Sequence, residues 1–409
     1  MKTWRPDRTR RTRHEYLRII TTLPSYVNKN ATITIMSTSN PSIVIVHDVI
    51  DAYGGAERVV EALLDAFPKA DLFTSRATQN PQTKTLRERL VGTTFMQKLP
   101  WLPVVNKMYT TLYPLAFESL NLTSYDIVIS STAHFAKGVL TTPDQLHVCY
   151  CHTPPRFLYG YPSQSSIRNT RLGKLLLSKI DHKLREYDYI CAQRPDVFIS
   201  NSLTVSKRIQ KFYNRRSVVI HPPAGLVVNN NKPFDNKEKN YFLSVSRLVP
   251  YKNIDTLVKT FNTRTEKLII VGNGPELDSL RKLAGTNIEF REFVSDKDLF
   301  ALYANAWAFL FASVDEDFGI TPVEAMSTGV PIIAINSGGV SETVTHETGV
   351  FYEENTIDSL SHALQKFMDT EDTFNRENIK KYAQKFNRER FISQMRAEVK
   401  SAFTKIVSQ

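Results

Sequence analysis

At 409 residues the chain is long enough for two domains of ordinary size, its 42% hydrophobic content suits a soluble globular protein, and no apolar run approaches the roughly 18–20 residues of a membrane span. Three cysteines, Cys149, Cys151 and Cys191, are too few and too odd in number for a disulfide framework and point to a reducing compartment. Net charge is +11, but residues 1–40 alone hold eight Lys and Arg against two Asp and Glu; a moderately basic body suits anionic ligands or an anionic membrane surface, and an arginine-rich tail does not make a nucleic-acid binder.

Residues 1–41 have no helical or strand period and lack the apolar core of a secretory signal, so they read as a basic, disordered extension or as translated sequence upstream of a start at Met36, with a transit-like sequence as the third reading. Residues 42–47 form a short apolar strand. Gly54 and Gly55 then turn the chain into a helix over 56–67, with Val59, Val60, Leu63, Leu64 and Phe67 on one face. Residues 95–120 mix aromatics, Leu and Lys with few acids, and either pack on their own domain or dip into a membrane interface. A strand over 126–131 leads into a polar turn carrying His134 and Lys137. The next strand, 147–151, delivers His152, Thr153, two prolines and Arg156 at its C-terminal end, where α/β sheets place ligands. Cys149 and Cys151 read as small apolar strand residues, because no second ligand pair accompanies them. A helix over 174–189, a strand over 196–200, a helix over 205–212 and a strand over 217–220 complete a first domain spanning 42–227, and the Asn/Lys-rich run 228–240 reads as a linker.

A second domain, 241–388, opens with a strand over 241–246 followed by Arg247 and Lys252, two cations on one loop that can hold a diphosphate from two sides. A strand over 267–272 ends in Gly272-Asn273-Gly274, a weak phosphate-loop signal. Strands over 287–290 and 308–312 flank a helix near 296–303. The stretch SVDEDFGITPVEAMSTGVPIIA, 313–334, follows. Thr321 is the expected N-cap there, Pro322 suits the first helical position, Glu324 can close a capping box, and Gly329 and Pro331 end the helix before a buried strand over 332–335. The open amides of such a helix attract phosphate. Glu316 and Glu324 flank that anion site; a carboxylate beside phosphate repels it, so binding sugar hydroxyls is the reading for both. Helices over 357–368 and 391–406 close the chain.

The E-x7-E spacing of Glu316 and Glu324, in register with Phe318, Gly319, Pro322, Ala325 and Gly329-Val330-Pro331, resembles the donor site of the retaining glycosyltransferases of family 4. The Ser-Arg-x4-Lys-Asn run at 246–253 matches that family's diphosphate site. The runs around His134 and His152 are most similar to bacterial mannosyltransferases of surface polysaccharides. The resemblance implies the GT-B fold: two doubly wound Rossmann-like domains facing a central cleft, with a C-terminal helix, 389–409, crossing back to the first domain. It implies transfer of a hexose, mannose from GDP-mannose as the leading choice, to a glycan or lipid-linked glycan acceptor at the cytoplasmic face of a membrane, with no cofactor and no metal. His152, Glu316, Arg247 and Lys252 would be the catalytic set. Gly54, Gly55, Phe318, Gly319, Ile320, Thr321 and Glu324 would bind the donor, and His134, Lys137 and Arg156 would line the acceptor side. Asp315-Glu316-Asp317 spells D-x-D, a metal-binding pattern elsewhere, but lies inside the E-x7-E motif where cationic side chains supply the charge. The rival readings are a nucleotide-sugar epimerase or a phosphorylase on the same fold and a nucleotide-sugar-binding protein without turnover.

Overall fold

Short apolar runs that end in polar or glycine turns alternate with amphipathic helices along the whole chain, and that pattern buries both faces of a parallel sheet. The computed structural model describes residues 41–100, 109–161, 171–224 and 241–408. The first half runs β1 (Ile43–His47), α1 (Gly55–Ala66), β2 (Asp71–Thr74), α2 (Lys84–Glu88), β3 (Leu90–Thr93), α3 (Tyr113–Glu118), β4 (Ile127–Thr132), β5 (Leu146–Cys151), α4 (Arg171–Cys191), β6 (Val197–Ser200), α5 (Leu203–Tyr213) and β7 (Val218–Val219). The second half runs β8 (Tyr241–Val245), α6 (Ile254–Phe261), β9 (Lys267–Val271), α7 (Leu277–Leu283), β10 (Ile288–Arg291), α8 (Asp296–Asn305), β11 (Phe309–Phe311), α9 (Ile320–Ser327), β12 (Ile332–Ile335), α10 (Val340–Thr343), β13 (Gly349–Tyr352), α11 (Ile357–Thr370), α12 (Arg376–Ala383) and α13 (Arg388–Val407).

Each half builds its own parallel sheet, ordered β3-β2-β1-β4-β5-β6-β7 and β10-β9-β8-β11-β12-β13. Strand order reverses beside β1 and β4 in the first sheet and beside β8 and β11 in the second. Such switch points open a crevice at the strands' C-terminal ends. His47 pairs in register with Ser131 there. Every residue of β4 and β5 is buried, as a sheet covered by helices on both faces requires.

Residues 41–409 form one compact unit. Helix α13 returns to the first domain: Phe391, Met395, Val399 and Phe403 are buried in the same cluster as Val59, Leu63 and Tyr150, and Phe391 meets the Tyr150 ring edge-on at 5.7 Å. Most expected elements occur within one to three residues of their expected ends. The elements not expected from the sequence include the four-residue strands β2, β3 and β13 and the helices α2, α3, α10 and α12. All of the expected extension 1–41 but Pro41, the expected linker 228–240 and the segment 101–108 of the aromatic stretch 95–120 lie outside the described residues. Beside that segment, Met96, Ala116 and Phe117 are buried in the protein, while Phe95 and Leu115 are exposed. Among the described residues, no helix is long and apolar enough to cross a membrane.

Candidate active site

The second-domain half of the cleft is built on the loops after β8 and β11. Lys252, on a single turn after β8, reaches Glu316 on the β11–α9 loop at 2.5 Å, and Ser313 Oγ donates to the same carboxylate oxygen at 2.7 Å. Burial pushes the Glu316 carboxyl up, but the Lys252 ammonium, its hydrogen bond and the Ser313 hydroxyl outweigh it and hold the pKa at about 2. Arg247, on the same loop as Lys252, is exposed, and its guanidinium donates to Tyr251 Oη at 3.3 Å.

Helix α9 starts earlier than the sequence suggests. Its N-cap is Gly319, at φ 87°, a conformation that glycine adopts without a Cβ clash; Thr321 is already inside the helix and no side chain caps it. Pro322 is tolerated because amides of the first turn have no intrahelical acceptor. Glu324 closes no capping box. It is 2% exposed, accepts from Tyr303 Oη at 3.1 Å, and is paired with Arg58 of the first domain.

Across the cleft, α1 presents its own N-terminus at Gly54-Gly55. A Cβ on Gly55 would lie 2.5 Å from Ile320 Cδ1, so the absence of a side chain is what lets the two helix starts approach. Glu57 caps α1 by accepting from the Gly54 amide at 2.9 Å, and lies 3.8 Å from His47. Burial disfavours the His47 cation, but Glu57 overrides it and raises the pKa. His152, at the end of β5, differs. Its Nε2 lies 2.9 Å from Ser131 Oγ, and burial, reinforced by the neighbouring His47, lowers its pKa to about 4, leaving a neutral imidazole at neutral pH. The two rings sit edge-on at 6.3 Å.

Two expected site residues turn their side chains away from the cleft. Lys137 does not face the cleft: it is 1% exposed, and its ammonium is taken by Asp188 of α4, which also accepts from Tyr159 and Tyr213 at 2.8 Å each. An ammonium this deep must be paired, so its charge serves the domain core. The Phe318 side chain points away from the cleft into the core against His221 and Phe386, leaving its backbone to face the loop. His134 is exposed, near the Phe157 ring. Arg156 does reach the cleft, donating to the Asp315 carbonyl at 2.7 Å and to Asp317 Oδ1 at 3.0 Å.

Several residues of the site carry little sequence signal. Asp48, directly after β1, is 6% exposed and accepts from Thr132 Oγ1 and from the amides of Ala133, His134, Phe135 and Ala136, so one carboxylate shapes the whole turn after β4. A lone acid at a strand's end was the available hint. Arg58 and Arg208 are ordinary helix arginines until the second domain meets them.

Two family descriptions match the chain: "Glycosyltransferase Family 4" over residues 53–224 and "Glycosyl transferases group 1" over residues 228–386. The GDP-mannose-dependent alpha-(1-6)-phosphatidylinositol monomannoside mannosyltransferase of Mycobacterium tuberculosis is 36% identical over 149 residues, 32% of this chain and 39% of that protein. An uncharacterized glycosyltransferase of Methanocaldococcus jannaschii is 30% identical over 260 residues, 55% of this chain and 67% of its own length. The chain thus spans well under half of the mycobacterial relative. Among solved structures, HepE from Anabaena in complex with UDP superposes with a TM-score of 0.66 at 18% identity, covering 88% of this chain and 100% of that one. At that identity the likeness is one of fold, and the fold is GT-B: two Rossmann-like domains and a helical C-terminus.

Proposed function

Because the chain belongs to the glycosyltransferases of group 1 and family 4, we propose that it transfers a hexose, mannose from GDP-mannose, to a hydroxyl of a glycan or lipid-linked glycan, with retention at the anomeric carbon and without a metal ion. The observation that carries this reading is the meeting of two helix N-termini across the cleft, Gly55 against Ile320, beside the Lys252–Glu316 pair. Breaking the sugar–phosphate bond builds negative charge on the departing diphosphate. Arg247, Lys252 and the amides from Gly319 to Thr321 would receive it, and stabilising charge where it develops is the largest contribution such a site can make. Glu324 would accept from the ribose hydroxyls, since a carboxylate already bonded to Arg58 and Tyr303 keeps lone pairs to spare. Glu316, ionised at every working pH, would hold the sugar hydroxyls or the positive charge developing on the ring. Neutral His152, with Gly54 and Gly55 opposite the donor, would orient the sugar, and the departing phosphate would take the acceptor's proton. His134 and Arg156 remain the acceptor-side candidates, and the phosphatidylinositol monomannoside in the mycobacterial relative's name supports a lipid-linked acceptor.

Support for metal independence comes from the D-x-D run itself. Lys252 engages Glu316, and Arg156 and Arg208 engage Asp317, so cations of the protein already occupy those carboxylates. The test is a panel of nucleotide sugars with excess EDTA, read as donor consumption. GDP-mannose should be consumed at an undiminished rate. Glu316→Gln should lower kcat by about 100-fold or more while GDP affinity stays within a few-fold, in line with loss of one preorganised charge. Activity lost to EDTA and restored by Mn²⁺ would overturn the metal-free reading. GDP binding with no turnover of any donor would favour a binding protein.

A further inference from the structure

The loop that carries Glu316 is held from the other domain. Arg208, 5% exposed on α5, donates to Asp317 Oδ1, to the Asp315 carbonyl at 2.9 Å and to Thr153 Oγ1 at 3.2 Å. Arg156 donates to the same two acceptors on the loop, the Asp315 carbonyl and Asp317 Oδ1. Both guanidinium groups stack on Tyr161, Arg208 at 4.2 Å and Arg156 at 5.4 Å from the ring centroid, and Arg156 also lies 5.3 Å from the Tyr251 ring, one residue before Lys252. The Ser202 hydroxyl, which caps α5, also donates to the Asp317 carbonyl at 2.5 Å. The amides of Leu203 and Thr204 that open α5 donate to the Glu342 carboxylate of α10 at 2.6 Å each. Helix α5 therefore docks end-on against the second domain, and Asp315 and Asp317 on either side of Glu316 are fastened to it. Asp315 is also one of three non-glycine residues with positive φ among the described residues, at 54°, a conformation that persists only where its surroundings fix it.

We propose that Arg208, with Arg156, is a positioning residue: the pair clasps Asp317 and the Asp315 carbonyl across the cleft and thereby sets where the Glu316 carboxylate stands against Lys252 and the donor. This rests on the reading of Glu316 given above. Arginine suits the task because its planar fork presents donors to a carboxylate and a carbonyl in one fixed geometry, whereas a lysine ammonium can bond both groups but without that fixed geometry. The clasp's donors lie in the first domain and its acceptors in the second, so the position of the sugar-binding carboxylate is tied to how the two domains meet.

The experiment uses Arg208→Met, Arg208→Lys, Asp317→Asn and the Arg208→Met/Asp317→Asn double variant in the full chain. Hydrogen exchange of peptides covering residues 313–320 reads the loop without requiring turnover. Steady-state kinetics with GDP-mannose and titration with GDP read its consequence. Expected are faster exchange over 313–320 in Arg208→Met and Asp317→Asn, a kcat lowered about tenfold or more with GDP affinity within threefold, partial rescue by Arg208→Lys, and a double variant no worse than the poorer single. Asp317→Asn changes one atom at a partly exposed site, so it carries the test even where Arg208→Met fails to fold. Unchanged exchange and kcat in Asp317→Asn, or losses that multiply in the double variant, would overturn the clasp. A Glu316→Gln enzyme as active as wild type, with loop exchange still faster in the clasp variants, would instead overturn the role of Glu316 and leave the clasp standing.

Discussion

His152 and His47 are buried side by side but are pushed in opposite directions: burial lowers both, Glu57 outweighs it at His47, and at His152 the neighbouring His47 adds to it. For His152 the folded pKa, about 4, is below the ordinary 6.5. Between those values the unfolded chain takes up a proton that the folded one refuses, so its contribution is present above pH 6.5 and is lost as pH falls toward 4. His47 runs the other way: its raised pKa contributes fully below 6.5 and is lost as pH rises through the folded value. His152→Gln should therefore flatten the fall in urea midpoint between pH 6.5 and 4, and the ratio of wild-type to variant kcat should be constant from pH 5.5 to 8. An unchanged stability slope, or a ratio that titrates near pH 6.5, would mean that His152 is charged in the folded protein. The residue types were readable in the sequence here, since a histidine at a strand's end names its own address. Its protonation state was not, because that depends on Ser131 and His47, which come from other strands. Lys137 illustrates the same limit: its partner Asp188 is 51 positions away, and a lysine in a polar turn gives no sign of facing inward.

At the scale of elements, α9 shows how local signals mislead. Thr321, Pro322 and Glu324 imitate a capping box, yet Gly319 starts the helix two residues earlier and frees Glu324 to meet Arg58 of α1. The helix, its end at Gly329 and the strand β12 were legible because propensity and burial agree there; the N-terminal residue was not, because a left-handed N-cap leaves a glycine as its only mark. The strands β2 and β3 are short and interrupted by charged or small residues, which hides their period. Breaking a largely buried ion pair by removing one partner strands the other charge, so Arg58→Met should destabilise the protein by about 3 kcal/mol, the lower end for such pairs because Arg58 is partly exposed. Arg58→Met/Glu324→Leu should recover most of that loss in urea unfolding. A single variant as stable as wild type, or a double variant worse than the single, would show that the two helices do not depend on this pair.

Over the whole molecule, the two switch points face one another and α13 ties the chain's end to the first sheet, so the cleft is bounded by two rigid sheets and closed by contacts that only the folded pair of domains can make. The alternation of strand and helix predicts the two sheets; which arginines cross between them is set by tertiary distance, and Arg58, Arg156 and Arg208 each find their acidic partner in the second domain. The proposed transfer depends on a diphosphate held at the second domain's switch point by Lys252, Arg247 and the α9 amides. Calorimetric titration of GDP and of guanosine into wild type and Lys252→Met tests this most directly. The account predicts that wild type prefers GDP strongly, and that the variant loses about tenfold or more in GDP affinity with guanosine binding unchanged, as removal of a charge-assisted contact to phosphate requires. GDP binding within twofold of wild type in the Lys252→Met protein would contradict it.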